Sequence, residues 1–137
     1  MKKKQSTLAI LSQLTQLQEL NLSNNKLKII PTEIGKLENL TKLNLNNNEL
    51  TVLPKEIAQL HNLKALHLKQ NQITELPKEI GQLANLSTLN IEANKLETIP
   101  TEIVYANNLT SLGLKDNPLG NAEINKLKFL LPNVQIS

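Results

Sequence analysis

The stretch from Leu40 to Asn62, LTKLNLNNNELTVLPKEIAQLHN, recurs in outline through most of the sequence. Its opening segment, LTKLNLNNNEL, fits the pattern L-x-x-L-x-L-x-x-N-x-L at every fixed position. The same frame begins again at a constant spacing of 23, namely at Leu17, Leu40, Leu63, Leu86 and Leu109. A constant period of this length indicates a solenoid, in which each repeat buries its apolar face against its neighbours.

The centre of each repeat, x-L-x-L-x, predicts a short strand. Because strand side chains alternate between two faces, the leucines point into the solenoid and the residues between them point out. The predicted strands are Glu19–Ser23, Lys42–Asn46, Ala65–Lys69, Thr88–Glu92 and Ser111–Lys115. The predicted fold class is an α/β solenoid, a horseshoe arc with short parallel strands on the concave side and 3-10 or helical turns on the convex side.

The repeat frame predicts one domain over residues 1–137. Its parts are an N-terminal half repeat, five full repeats and a C-terminal cap, at residues 6–16, 17–119 and 120–137. In the cap, Asn121 can be the N-cap of a helix over residues 122–131, which Pro132 ends. A final strand ending near Ile136 repeats the L-x-x-L-x-L frame at an offset of 22. A protein that closes its own solenoid in this way is expected to lack a further downstream domain.

The N-terminal half repeat is a thin cap. Leu11 and Leu14 lie one full period before Ile34 and Leu37, which are apolar positions of a full repeat, and Ser6 can cap a helical turn. No strand precedes the first one, so that strand is expected to be an open sheet edge, which proteins normally protect. Self-association through this N-terminal edge, giving a homo-oligomer, is therefore an alternative function.

An asparagine recurs two residues before the last leucine of the pattern. It sits where the backbone leaves the strand, among buried leucines, and a buried amide must find hydrogen-bond partners. Free backbone groups of the turns in neighbouring repeats can supply them. These residues are predicted to form a structural asparagine ladder: Asn25, Asn48, Asn71, Asn94 and Asn117.

The convex segments, such as LPKEIAQL, carry a proline followed two residues later by a glutamate. Proline has a preset φ that suits the start of a helical turn, and an acidic residue suits the same end of the helix dipole. The two columns are Pro31, Pro54, Pro77 and Pro100, and Glu33, Glu56, Glu79 and Glu102. A glutamate column can also hold a metal, but no His or Asp accompanies it, so no metal site is expected.

Composition excludes several function classes. All 15 basic residues are lysine, and aromatic residues make up 1% of the total. Nucleic-acid binding is not expected, because guanine readout usually relies on Arg and single-strand binding on aromatic stacking. The absence of cysteine removes disulfides and thiolate chemistry. No segment approaches the apolar length of a membrane span.

The N-terminus, MKKKQSTLAILSQLTQ, begins like a signal peptide. Polar residues interrupt the segment after the lysines, and there is neither a continuous apolar stretch nor a small-residue cleavage site. With no recognisable signal, the default expectation is a cytoplasmic protein, and export by a non-classical route stays open.

An enzyme is not expected either. His67 is the only histidine on the predicted concave face, and no acidic residue shares its column to orient it. The sequence has no Ser/His/Asp arrangement and no glycine-rich phosphate loop. We therefore predict no catalytic residue and no cofactor.

The concave face is the candidate site for an unknown protein or peptide partner. Its predicted residues are Lys42, Asn44, Asn46, Asn47, His67, Lys69, Gln70, Thr88, Asn90 and Glu92. The face is polar, of mixed sign and without Trp, Tyr, Phe or Arg, the residues that tend to dominate binding hot spots. Modest affinity is therefore expected, unless the face is only a solvated sheet.

The stretch from Leu76 to Pro100, LPKEIGQLANLSTLNIEANKLETIP, resembles the 23-residue bacterial leucine-rich repeat that some spirochaetes carry in many copies. The closing segment LKFLLPNVQI is similar to the terminal segment of such proteins, so the resemblance covers residues 8–136. It implies a non-catalytic binding scaffold, often in host–pathogen contact and thus associated with virulence. Members commonly carry a secretion signal, from which this sequence departs.

Overall fold

The computed structural model describes residues 13–137 of the protein. Six strands form one parallel sheet in sequence order: β1 (Glu19–Asn21), β2 (Lys42–Asn44), β3 (Ala65–His67), β4 (Thr88–Asn90), β5 (Ser111–Gly113) and β6 (Gln135–Ile136). Four 3-10 helices lie on the other side: η1 (Thr32–Lys36), η2 (Lys55–Gln59), η3 (Lys78–Gln82) and η4 (Thr101–Tyr105). One α-helix, α1 (Asn121–Leu130), precedes β6. This arrangement confirms the predicted α/β solenoid arc.

The strands are shorter than predicted, at three residues each from β1 to β5. Hydrogen bonds between repeats nevertheless continue past the strand ends. The backbone N of Leu22 donates to the carbonyl O of Asn44 at 2.8 Å, and Asn24 N donates to Asn46 O at 3.0 Å. The backbone turns away from the sheet at Asn24 and at its counterpart Asn47, which adopt a left-handed conformation with φ near 60°.

The core is a stack of aliphatic side chains in which each repeat adds one layer. Leu43 and Leu45 are fully buried, as are their counterparts in the third and fourth repeats. Leu20 and Leu22 of the first repeat are only half-buried, and Leu14 of the N-terminal half repeat is 49% exposed. The first layer therefore contributes less apolar burial, which stabilises by about 25 cal/mol for each Å² removed from water. The predicted Ser6 cap and Leu11 contact lie outside the described residues.

On the convex side, each proline precedes its 3-10 helix by one residue instead of opening it. Pro31 has an extended backbone, and its carbonyl accepts the Ile34 N–H at 3.1 Å. The glutamate of each segment lies in the first turn, as predicted, but is half-buried instead of freely solvated. Neighbouring helices approach at their backbones. A Cβ on Gly81 would collide with the main-chain oxygen of Glu102, so η3 and η4 pack closely there.

The C-terminal strand follows β5 at an offset of 24, and the predicted offset of 22 is wrong. Leu112 pairs with Ile136 and Ser111 with Gln135. The difference of two positions preserves the alternation of strand side chains. Ile136 and Val134 therefore still pack against the core, as the frame requires.

The helix α1 begins one residue earlier than predicted. Gly120 is its N-cap, whereas Asn121 is its first residue and makes no capping hydrogen bond. Leu127, on the inward-facing side of the helix, is fully buried. Glu123 fixes the helix to the fourth repeat, because its Oε2 accepts the backbone N–H of Ile99 at 2.9 Å. Burial tends to raise the pKa of Glu123, but this hydrogen bond and Lys126 outweigh it and leave the pKa below its ordinary value.

The regular spacing of the strand-leaving asparagines produces a ladder of side-chain hydrogen bonds between repeats. Asn71 Nδ2 donates to the carbonyl of Leu45 in the preceding repeat at 3.0 Å and to that of Leu68 in its own repeat at 3.1 Å. Its Oδ1 accepts the N–H of Leu50, again in the preceding repeat, at 3.1 Å. Asn48 and Asn94 are buried and bonded in the same manner.

A second column of asparagines lies on the side of the arc, immediately before the opening leucine of the second to fifth repeats. Each Nδ2 donates to a backbone carbonyl of the preceding repeat, such as Asn85 to His61 at 2.7 Å. The column comprises Asn39, Asn62, Asn85 and Asn108, all exposed. This column was not predicted from the sequence, although its regular spacing is visible there.

Substitution of the buried amide should destabilise the solenoid. We expect Asn71→Ala to lower the free energy of unfolding by about 1–3 kcal/mol, since it leaves buried backbone groups without partners. Asn85→Ala, which removes one exposed bond, is the matched control and should cost less than about 1 kcal/mol. Urea unfolding measures both, and an unchanged midpoint for Asn71→Ala would refute a structural role for this amide.

Candidate functional site

The structure divides the ten predicted concave residues into three positions. Five lie on the strands themselves: Lys42, Asn44, His67, Thr88 and Asn90. Three lie just beyond the strand ends: Asn46, Lys69 and Glu92. The remaining two, Asn47 and Gln70, occupy the following turn in the left-handed conformation, with φ of 56° and 59°. The strand positions form the centre of the face, and the turn positions form its rim.

Asn44 and Asn90 hold their own strand ends. The Oδ1 of Asn44 accepts the N–H of Asn46 at 3.0 Å, and the Oδ1 of Asn90 accepts the N–H of Glu92 at 3.0 Å. Within residues 13–137, neither Nδ2 group has an acceptor in hydrogen-bond distance. Each oxygen therefore already accepts one hydrogen bond, whereas the N–H donors of each side chain are available.

His67 interrupts this column of asparagines. It pairs in register with Asn44 on β2 and with Asn90 on β4, so the three side chains lie on adjacent strands. His67 does not accept the N–H two residues further on as these amides do, because the Lys69 N–H donates instead to Asn46 Oδ1 of the neighbouring repeat at 2.7 Å. Asn46, which was predicted only as a binding residue, therefore also has a structural role.

The pKa of His67 lies below its ordinary value, firstly because half-burial disfavours the charged ring and secondly because Lys42 repels it. The imidazole is therefore neutral at neutral pH. It then carries one N–H donor and one acceptor nitrogen.

The charges of the face are unevenly compensated. Lys69 Nζ lies 3.8 Å from Glu92 Oε2, which pairs these two residues across the third and fourth repeats. Lys42 has no ion-pair partner in the described part of the protein, although Glu19 is its register neighbour on β1. One lysine beside His67 therefore remains uncompensated.

The shape of the face is shallow. One hollow of about 160 Å³ lies at its N-terminal end, between Glu19 and Asn44. A larger hollow of about 650 Å³ lies on the convex side, where the single tyrosine, Tyr105, is 67% exposed. Enclosing pockets for small molecules are typically about 300–1,000 Å³. The concave face is thus a better match for the surface of a protein or a peptide.

Metal-ligating clusters and membrane-spanning helices are both absent from the described residues. Across residues 13–137, no group of three or more His, Cys, Asp or Glu side chains could hold a metal ion. No helix in that part of the protein is long and apolar enough to cross a membrane. The half-buried convex glutamates stand in separate repeats, without a histidine among them.

The pKa of His67 can be measured directly. We expect an NMR titration to place it below about 6.5, and Lys42→Met to raise it only in part, because burial persists. A His61→Gln background assigns the resonances, and Lys115→Met, which removes a lysine two repeats away, is the control. A His67 that titrates at or above the ordinary value would contradict this electrostatic description.

Comparison with known proteins identifies the repeats. A leucine-rich repeat model matches residues 38–96 and 61–119, and a model for two copies of leucine-rich repeats matches residues 15–57. None of the curated protein sequences matches this one.

Among solved structures, a leucine-rich repeat protein of Leptospira interrogans is 41% identical, with a TM-score of 0.93. The match covers 94% of this chain and 33% of that protein, so the chain spans a third of its length. Together with the family matches, this similarity means that the chain belongs to the leucine-rich repeat family, with repeats of the bacterial, spirochaete type.

Proposed function

We propose that this domain is a non-catalytic scaffold that binds a protein or peptide segment on its concave sheet face. Leucine-rich repeat domains generally mediate protein–protein interaction. The observation that carries the assignment to this face is the row formed by Asn44, His67 and Asn90. The Asn44 and Asn90 side chains are held by hydrogen bonds to their own backbone and still offer donors to solvent.

Preorganisation favours this face over the convex side. The Asn44 and Asn90 amides are fixed by their own backbone hydrogen bonds, so a partner would meet donors whose orientation is already set. Less conformational entropy is then lost on binding. The absence of aromatic and arginine anchors on the face predicts modest affinity for each contact. A host protein is one class of partner, in line with the host–pathogen contact that the family resemblance implies, and a bacterial protein is the other.

A charged concave variant should lose its partner. We would substitute Lys42→Glu, His67→Arg and Thr88→Arg together, leaving Asn44 and Asn90 intact because they hold strand ends. Extracts of bacterial cells and of host extracellular proteins are then passed over immobilised wild-type and variant domains. We expect partner capture to fall by at least tenfold in the variant.

The matched control carries the same kinds of change on exposed convex positions, Lys55→Glu, Gln59→Arg and Gln82→Arg. It should capture as well as wild type, and circular dichroism checks that both variants fold. Undiminished capture by the concave variant, or loss only in the convex one, would refute the concave site.

Self-association through the N-terminal edge is the second candidate. It is favoured by the half-buried state of Leu20 and Leu22 and by the 49% exposure of Leu14, where later repeats bury the equivalent leucines. Light scattering over a concentration series should detect association, and Leu14→Glu should weaken it by reducing apolar contact at the edge. A strictly monomeric profile at high concentration would exclude this candidate.

A further inference from the structure

We propose that the partner presents a carboxylate to a donor set at the centre of the concave face, formed by Lys42, Asn44, His67 and Asn90. The carboxylate can come from an acidic side chain or from the C-terminus of a polypeptide. This inference rests on the proposed function, since it specifies what the concave face recognises.

The first argument is the imbalance between donors and acceptors. An asparagine side chain has one acceptor oxygen and two N–H donors. At Asn44 and Asn90 the oxygen already accepts a backbone N–H of the same repeat, so the free donors outnumber the remaining lone pair. Lys42 contributes donors only. A group that satisfies this set must be rich in acceptors, and a carboxylate offers about four lone-pair sites.

The second argument is position. The strands β2, β3 and β4 are adjacent and in register, so Asn44, His67 and Asn90 lie side by side at about 4.8 Å intervals. Lys42 precedes Asn44 by two residues and projects from the same face of β2. Its register partner on β3 is the small residue Ala65, which leaves room beside the imidazole for an incoming group.

The third argument is charge. Three charged residues surround His67: Lys42 on β2, Lys69 beyond the end of β3 and Glu92 beyond the end of β4. The 3.8 Å contact between Lys69 and Glu92 offsets those two charges. Lys42 forms no ion pair within residues 13–137, although Glu19 is its register neighbour on β1. Its repulsion is the charge effect felt by the imidazole, so the field there is positive. An anion is attracted to this point, whereas a cation is repelled.

A carboxylate bound here would also change the pKa of His67. Burial and Lys42 lower the pKa of the free imidazole, and a bound anion would raise it by favouring the charged ring. Binding then takes up a proton wherever the pH lies between the bound and free pKa values. Affinity should therefore rise as the pH falls from about 8 to about 5, where the partner's carboxylate is still ionised.

The test uses two libraries of short random peptides against the 137-residue chain. One library has amidated C-termini and contains Asp and Glu, and the other has free C-termini and lacks both residues. Enrichment of acidic peptides from the first library would identify a side-chain carboxylate as the ligand. Enrichment of binders from the second library would identify the C-terminal carboxylate, and we expect one of these two results. Replacing Asp or Glu by Asn or Gln, or amidating the C-terminus, should weaken the enriched peptide by roughly tenfold or more.

Variants of the protein complete the test. Lys42→Met should weaken the enriched peptide by roughly tenfold, whereas the concave-face control Lys115→Met should not. His67→Gln, which cannot titrate, should remove the rise in affinity at low pH. Affinity that is the same for Lys42→Met and wild type, or a pH dependence that persists in His67→Gln, would overturn the carboxylate proposal.

The outcomes separate this proposal from the proposed function. Enriched peptides without a carboxylate dependence, whose binding is lost in the charged concave variant, overturn the carboxylate and leave the concave scaffold standing. Peptides that bind that variant as well as wild type overturn the concave site itself. Recovery of no binding peptide from either library counts against both.

Discussion

The buried asparagine amide between consecutive repeats is the constraint on which the rest of the fold depends. Asn71 must reach the carbonyl of Leu45 and the N–H of Leu50 in the preceding repeat, and each of these bonds spans a fixed length of backbone. An insertion between the repeats would separate the amide from its partners and leave buried polar groups unsatisfied. The aliphatic core supplies most of the stabilising burial. A packed leucine, however, tolerates small displacements between repeats, whereas an amide that makes three hydrogen bonds does not. The amide therefore fixes the period of the repeat, and the period in turn places every outward-facing residue.

The parts of the fold governed by that period could be predicted from the sequence, and the parts beyond it could not. Strand positions, ladder and convex turns all follow from a frame that recurs five times. The C-terminal strand was misplaced by two positions, because alternation alone allows Leu112 to face either Val134 or Ile136. No ladder asparagine follows Asn117 to decide between them, and the ten-residue α1 replaces the five-residue 3-10 turn. The choice of register therefore depends on how α1 packs, which the local pattern does not contain.

The candidate site illustrates a different limit of sequence reasoning. Alternation predicted which side chains face outward, but not what they do there. Asn44, Asn46 and Asn47 look alike in the sequence, yet the first holds its own strand end, the second accepts a backbone N–H of the next repeat, and the third adopts a left-handed turn. The difference comes from backbone geometry at successive positions. Amide donors left over from these structural bonds become visible only when each oxygen has been assigned its partner.

His67 shows how the scaffold and the candidate site are connected. In the second and fourth repeats an asparagine oxygen accepts the N–H two residues further on, whereas His67 in the third repeat does not accept the N–H of Lys69. The orphaned N–H of Lys69 is instead satisfied by Asn46 from the preceding repeat, at 2.7 Å. In the fifth repeat the same column carries Gly113, whose missing Cβ leaves space for the fixed amide of Asn90. The column therefore carries a residue other than asparagine at His67, where Asn46 accepts the backbone N–H, and at Gly113, where Asn90 needs space. A titratable ring can thus lie at the centre of the face without leaving the Lys69 N–H unsatisfied.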